Sequence, residues 1–230
     1  MPRAVTYACP PSFSTRYTLL LDASAPRVQV VLFRPQASSP TIYYGAKEPA
    51  LTSLFRGISH CLAEADETLE GASALHLCSG PGSTLGLRIA ATLAKTLLRE
   101  ATPAPTLHLY NALDLAAHFL APVPEIPLVA PYKVGKRLLR LPVDASPIGQ
   151  IKILAEDDPS LQDPQALHLL GRKTSSPPPT EASTLHYDLS RLPSDPELLA
   201  PILRPADTPE IFSPEAPEFR KWTPARNLAP

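Results

Sequence analysis

The stretch CSGPGSTLGLRIA, residues 78 to 90, constrains this chain more than any other. The chain has nine glycines in 230 residues, and Gly80, Gly82 and Gly86 fall together beside Pro81. A strand-like run, ALHLCSG (74 to 80), leads into the stretch, and Ser83 is placed to cap the helix that follows. Glycines in such a place either cradle an anion at a helix N-terminus or permit a tight turn and a close helix contact. The usual cradles do not fit. In a G-x-G-x-x-G fingerprint the third glycine would stand where Leu85 is, and a Walker loop would end in Gly-Lys-Ser/Thr where Gly86-Leu87-Arg88 stands. The G-x-S-x-G elbow of hydrolases is absent. On spacing alone, Gly80 and Gly82 turn the chain and Gly86 allows close packing.

Around this loop the apolar pattern switches period. YTLLLDAS (17 to 24), RVQVVLFR (27 to 34) and TIYYG (41 to 45) read as strands, the first two as a hairpin across an APR turn. Leu51, Leu54, Phe55, Ile58, Leu62 and Ala65 then recur at helical spacing. A helix over about 83 to 100 places Gly86, Ala90 and Ala94 in a small-residue stripe, with Leu85, Ile89, Leu93 and Leu97 as bulk. Arg88, Thr92, Lys95 and Arg99 form its polar side. TLHLY (106 to 110) reads as a strand and ALDLAAHFL (112 to 120) as a helix. The order β-β-β-α-β-α-β-α predicts an α/β fold with a mixed sheet and helices packed on it. Later, IPLVAPY, KRLLRLPV and GQIKILAE read as strands, while DPQALHLLG (163 to 171) and DPELLAPIL (195 to 203) read as short helices opened by Asp-Pro.

Composition bounds the function. Hydrophobic residues at 44% and charged residues at 19% describe a globular chain. A net charge of -1 argues against a stand-alone nucleic-acid binder, though not against a subunit whose partner does the binding. Cys9, Cys61 and Cys78 are odd in number and unsuited to a metal site, so free thiols are expected. No apolar run reaches the ~18 residues of a membrane span, and the N-terminus lacks an apolar signal core. A cytoplasmic location without membrane contact is the expectation. The expected organisation is a loose extension (1 to 16), a first lobe (17 to 121) and a second, proline-rich lobe with a tail (122 to 230). Of the 30 prolines, three are consecutive in SSPPPTE (175 to 181).

SGPGSTLGLRIAATLAKTL resembles the GPGSFTGLRIG…AKGLA segment of the TsaB (YeaZ) family, with Gly80, Pro81, Gly82, Ser83, Gly86, Leu87, Arg88, Ile89, Ala94 and Lys95 at the matching places. LLLDAS resembles the family's opening I-L-A-L-D-T-S strand, and YNALDLAA its V-S-S-L-E-A-L-A segment. The likeness spans about residues 17 to 130. Thr84-Leu85 replaces the family's F-T, and the H-S-E that opens its first helix is lost. APYKVGKRLLRL (130 to 141) stands where the family has D-A-R followed by V-Y.

The resemblance implies the actin-like, ribonuclease-H-like (ASKHA) fold with two small lobes. It implies a non-catalytic platform in synthesis of tRNA threonylcarbamoyladenosine, pairing with the TsaD transferase and joined by the ATPase TsaE. Homodimers through the same surface also occur in the family, and tRNA is met only through the complex. No resident cofactor is implied, with nucleotide at a subunit interface left open. Leu51, Leu54, Phe55, Ile58, Leu62 and Arg88 are the expected partner contacts, while Gly80, Pro81, Gly82, Ser83 and Gly86 shape the turn beneath them. The competing reading is that the apolar stripes only face their own sheet. Asp22 matches the first acidic position of the fold's phosphate loop, where active relatives hold metal and nucleotide; a lone Asp at a strand end also simply caps a turn. No second D-x-G motif follows, and the six histidines form no i, i+3 or i, i+4 pair, so no metal ligands and no catalytic residue are assigned. An active ATPase or small-molecule kinase of the actin-like fold is the rival, and a peptidase the third reading.

Overall fold

The computed structural model describes residues 17–34, 41–144, 146–163, 166–170 and 184–212. The expected N-terminal extension, the SSPPPTE run and the tail beyond residue 212 lie outside them. The first half follows the predicted order: β1 (Tyr17–Asp22), β2 (Val28–Phe33), β3 (Ile42–Ala46), α1 (Ala50–Ala65), β4 (Ala72–Gly80), α2 (Thr84–Glu100), β5 (Thr106–Asn111) and a short α3 (Ala112–Leu115) that runs on as a π turn to Leu120. β1 pairs antiparallel with β2, and β2 with β3, while β1, β4 and β5 run parallel. The resulting order 3-2-1-4-5, antiparallel on one side and parallel on the other, is the ribonuclease-H-like mixed sheet.

β1 and β2 are apolar at nearly every position because both faces of this sheet are covered. Leu19 and Leu21 meet Leu54, Ile58, Ala90 and Ala94 of the two helices. Leu20, one residue out of phase, faces the opposite side with Cys78, Tyr110 and Leu113. That second core also takes in Leu128, Leu138 and Leu185, which belong to another sheet.

The other sheet has the order β10-β9-β6-β7-β8, built from β6 (Leu128–Pro131), β7 (Lys136–Val143), β8 (Ser146–Ala155), β9 (Leu167–Leu170) and β10 (Thr184–His186). β9 corrects the expected helix in DPQALHLLG. Its short apolar run pairs parallel with both β6 and β10, and these long-range ladders outweigh a weak local helix signal. DPELLAPIL forms a 3-10 helix at Pro196–Ile202. The chain then returns to the first sheet, where β11 (Arg204–Pro205) pairs with β5. The second half of the chain is therefore not confined to its own sheet.

His76 on β4 and His108 on β5 stand in register, with their rings edge to face at 5.3 Å. His76 is buried with no partner for Nδ1. Burial, and then His108, push its pKa down to about 3. The unfolded chain therefore takes up a proton that the fold excludes once the pH drops below about 6.5. His76 alone is expected to cost about 2 kcal/mol of stability at pH 5 relative to neutral pH. Urea titrations at the two pH values check this: His76→Phe should narrow the gap between them, and an unchanged gap would contradict it.

Candidate docking surface at the glycine loop

Gly80 has φ +127, a conformation that side-chain-bearing residues rarely adopt, and it ends β4 in the turn toward α2. Gly82 lies against Ser24, where a Cβ would come within 2.5 Å of the serine's own Cβ. A Cβ on Gly86 would strike the Ala23 carbonyl oxygen. Ser83 N–H donates to the Ser24 carbonyl at 2.7 Å. The Ser83 hydroxyl caps α2 by accepting from Gly86 N–H at 3.2 Å, and Leu87 N–H donates to the Ser83 carbonyl. The N–H groups of Ser83, Gly86 and Leu87 are thus already engaged within the turn. Packing explains the glycines: they press the start of α2 onto the turn after β1.

This contact leaves a cleft of about 710 Å³ between the β1–β2 turn, the start of α1 and the start of α2. Ala23, Pro26, Leu51, Leu85 and Ile89 make its walls largely apolar, and Tyr132, just past the end of β6, also lines it. Large side chains stand exposed here: Leu51 at 51% and Leu85 at 70%, both in the cleft wall, and Phe55 at 54%, one turn further along α1. Arg56 and Glu48 form an exposed ion pair at 2.7 Å nearby.

The expected contact residues divide. Leu54 and Ile58 point inward at 0% and 7% exposure and belong to the chain's own core, which corrects their assignment to a partner surface. Leu62 is half-buried against the same core. Leu51, Phe55 and Arg88 face outward. The apolar pattern counts Leu85 as helix bulk and gives no signal for Tyr132, yet both line the cleft. Leu85 sits in the first turn of α2, before the helix has settled on the sheet, so its apolar phase misleads.

Asp22 lies at the end of β1, fully buried. One carboxylate oxygen accepts from Ser24 N–H at 2.8 Å. The other accepts the hydroxyls of Tyr110 at 2.8 Å and Tyr187 at 2.6 Å. Burial and the adjacent carboxylate push both tyrosine pKa values well above normal, so each keeps its proton and donates. Gln29 ties down the same segment, donating to the Tyr187 carbonyl and accepting from Leu189 N–H and the Tyr43 hydroxyl. Cys61 and Cys78 are buried free thiols whose pKa values burial raises. Among the described residues no three His, Cys, Asp or Glu side chains gather as a metal cluster, and no helix is long and apolar enough to cross a membrane.

No family model and no curated protein matches this sequence. Solved structures do match. YeaZ from Pseudomonas aeruginosa aligns over 61% of this chain and 67% of its own, with 16% identity and a TM-score of 0.50. This chain has the YeaZ fold. A structure described as an uncharacterized protein with similarity to peptidase YeaZ from Pseudomonas aeruginosa aligns over 67% of this chain and 75% of its own, at 14% identity and a TM-score of 0.50. At these identities the likeness is one of architecture. Asp22, which the sequence resemblance sets at the first acidic position of the phosphate loop, accepts two tyrosine hydroxyls here.

Proposed function

We propose that the chain is a non-catalytic platform subunit of the tRNA N6-threonylcarbamoyladenosine machinery. It pairs with a TsaD-like transferase, is joined by a TsaE-like ATPase and meets tRNA in the cytoplasm only through that complex. The observation that carries this reading is the exposed apolar set Leu51, Phe55 and Leu85 around the cleft at the helix starts, on a YeaZ fold. Exposed large side chains beside a concave apolar surface favour a protein partner. A second copy of the chain is the competing occupant.

Asp22 supports the non-catalytic part. Its oxygens already accept three hydrogen bonds in a buried site, so a metal would have to displace two tyrosine hydroxyls. The isolated chain is expected to show no saturable Mg-ATP turnover, whereas turnover that is lost in Asp22→Asn would favour the kinase or ATPase alternative. A reconstituted assay for threonylcarbamoyl transfer to tRNA tests the role itself. Product should form only when this chain is added to the transferase and ATPase, and full activity without it would overturn the proposal.

A further inference from the structure

A second group of exposed apolar side chains lies away from the glycine-loop cleft, around a cavity of about 520 Å³ at the β7–β8 turn. Pro124, Pro142, Val143, Pro147 and Pro201 line this cavity, and Val143 is 45% exposed. Val123 and Ile148, also exposed, are the chain neighbours of Pro124 and Pro147. Leu198 stands exposed on the 3-10 helix Pro196–Ile202, one turn before Pro201 and so on the same face. Large apolar side chains left in solvent around a concave, proline-rich wall mark a surface that another segment covers.

Glu125 and Asp144 belong to the same wall and are both exposed, while Glu197 stands beside Leu198. Arg140 and His118 are the other ionisable groups of the wall. Arg140 is buried, with its Nε donating to Asp114 Oδ1 at 2.8 Å, so its charge is matched from within. The His118 ring lies edge to face with Phe119 at 4.7 Å. The exposed rim is therefore acidic. Two copies of the patch set face to face would oppose these carboxylates, which disfavours self-pairing. The occupant that matches is an aromatic segment with basic side chains.

A segment of this chain has that composition. Residues 219 to 226 read FRKWTPAR, with Phe219 and Trp222 among Arg220, Lys221 and Arg226 and no acidic residue. The last described residue, Phe212, donates its N–H to the Ser79 carbonyl at 2.7 Å, beside Gly80. Gly80 pairs with Asn111, from which α3 and its π turn lead to His118 on the cavity wall. That climb is about 10 Å, whereas a chain extended from Phe212 to Phe219 reaches about 23 Å. The cavity is thus within reach. The glycine-loop cleft is flanked by Lys47, Arg88 and Lys133, so a basic segment is disfavoured there. From this match of charge and reach we propose that the patch docks the chain's own segment Phe219–Arg226. Trp222 seats on the proline-lined wall, and the basic side chains face the acidic rim. The inference does not depend on the role proposed for the glycine-loop cleft.

Trp222 is the single tryptophan of the chain, so its fluorescence reports docking in the full-length protein. Its emission should be blue-shifted relative to free tryptophan amide, protected from acrylamide quenching, and unchanged on dilution. The double variant Val143→Asp, Leu198→Asp alters exposed residues only, so the fold is retained, as circular dichroism would check. It should lose the blue shift and the protection. Reversal of the rim charges, Glu125→Lys with Asp144→Lys, should do the same. Phe55→Asp with Leu85→Asp, in the other surface, should leave the emission as it is. A wild-type emission like that of free tryptophan amide would overturn the proposal. So would emission unmoved by both patch variants, or moved instead by the Phe55 and Leu85 variant. A blue shift that fades on dilution would place the segment on a second copy and overturn docking within one chain.

Discussion

Replacing Phe55 and Leu85 together by aspartate is expected to abolish pairing with the transferase while the monomer stays folded. Both side chains stand mostly in solvent, at 54% and 70% exposure. Their loss from the free chain should therefore change stability by about 0.5 kcal/mol or less each. At an interface they would be apolar anchors, each costing about 2 kcal/mol when removed, which together weakens the complex about a thousandfold. Leu54→Asp makes the contrast. Leu54 is wholly buried among Val30, Leu32 and Leu77, where an unpaired carboxylate costs about 4 kcal/mol or more and should leave little folded protein. Circular dichroism and a pull-down on both variants separate the two effects. A double aspartate variant that still pairs would remove this surface from the account, and a folded Leu54→Asp chain would contradict the described core.

Gly86→Ala is the second large effect. Its added methyl would collide with the Ala23 carbonyl, which is backbone and cannot swing aside. The start of α2 would have to lift from the β1–β2 turn, straining the Ser83–Ser24 hydrogen bond and shifting Leu85 in the cleft. Overpacking of this kind costs about 3 kcal/mol. Gly135→Ala is the matched control. Gly135 has φ +73 but no atom within 4 Å of the added Cβ, so only conformational strain of about 1 kcal/mol applies. Urea midpoints should rank the wild type above Gly135→Ala and that above Gly86→Ala. Equal losses in the two variants would mean that close packing is not what Gly86 provides.

The first sheet was legible because its strands are continuous apolar runs and its helices change the period, with Ser83 marking the start of α2. β9 was not, since ALHLL is too short to tell a strand from a helix, and its partners β6 and β10 lie far along the chain. The α1 stripe shows in the sequence as one apolar face, although its two halves point to different places. Leu51 and Phe55 form one row and Leu54 and Ile58 another, and all four are apolar. A signal was present in Gly57, a glycine inside a helix. It sits where a Cβ would meet Val30 at 2.6 Å, and with Ser53 and Cys61 it marks the face pressed to the sheet. Nothing in the sequence announces Tyr187 as the partner of Asp22, because 165 positions separate them. The Arg140–Asp114 pair was equally hidden: it joins the YNALDLAA segment to the stretch that replaces the family's D-A-R, and no local pattern links the two.

The proposed role requires that the helix-start surface docks a TsaD-like transferase. Light scattering on an equimolar mixture with the transferase from the same cell, eluted through a sizing column with and without nucleotide, tests it most directly. A single one-to-one species with the summed mass of the two chains is expected, lost when Phe55 and Leu85 are aspartate. Separate elution of the two proteins under both conditions would contradict it.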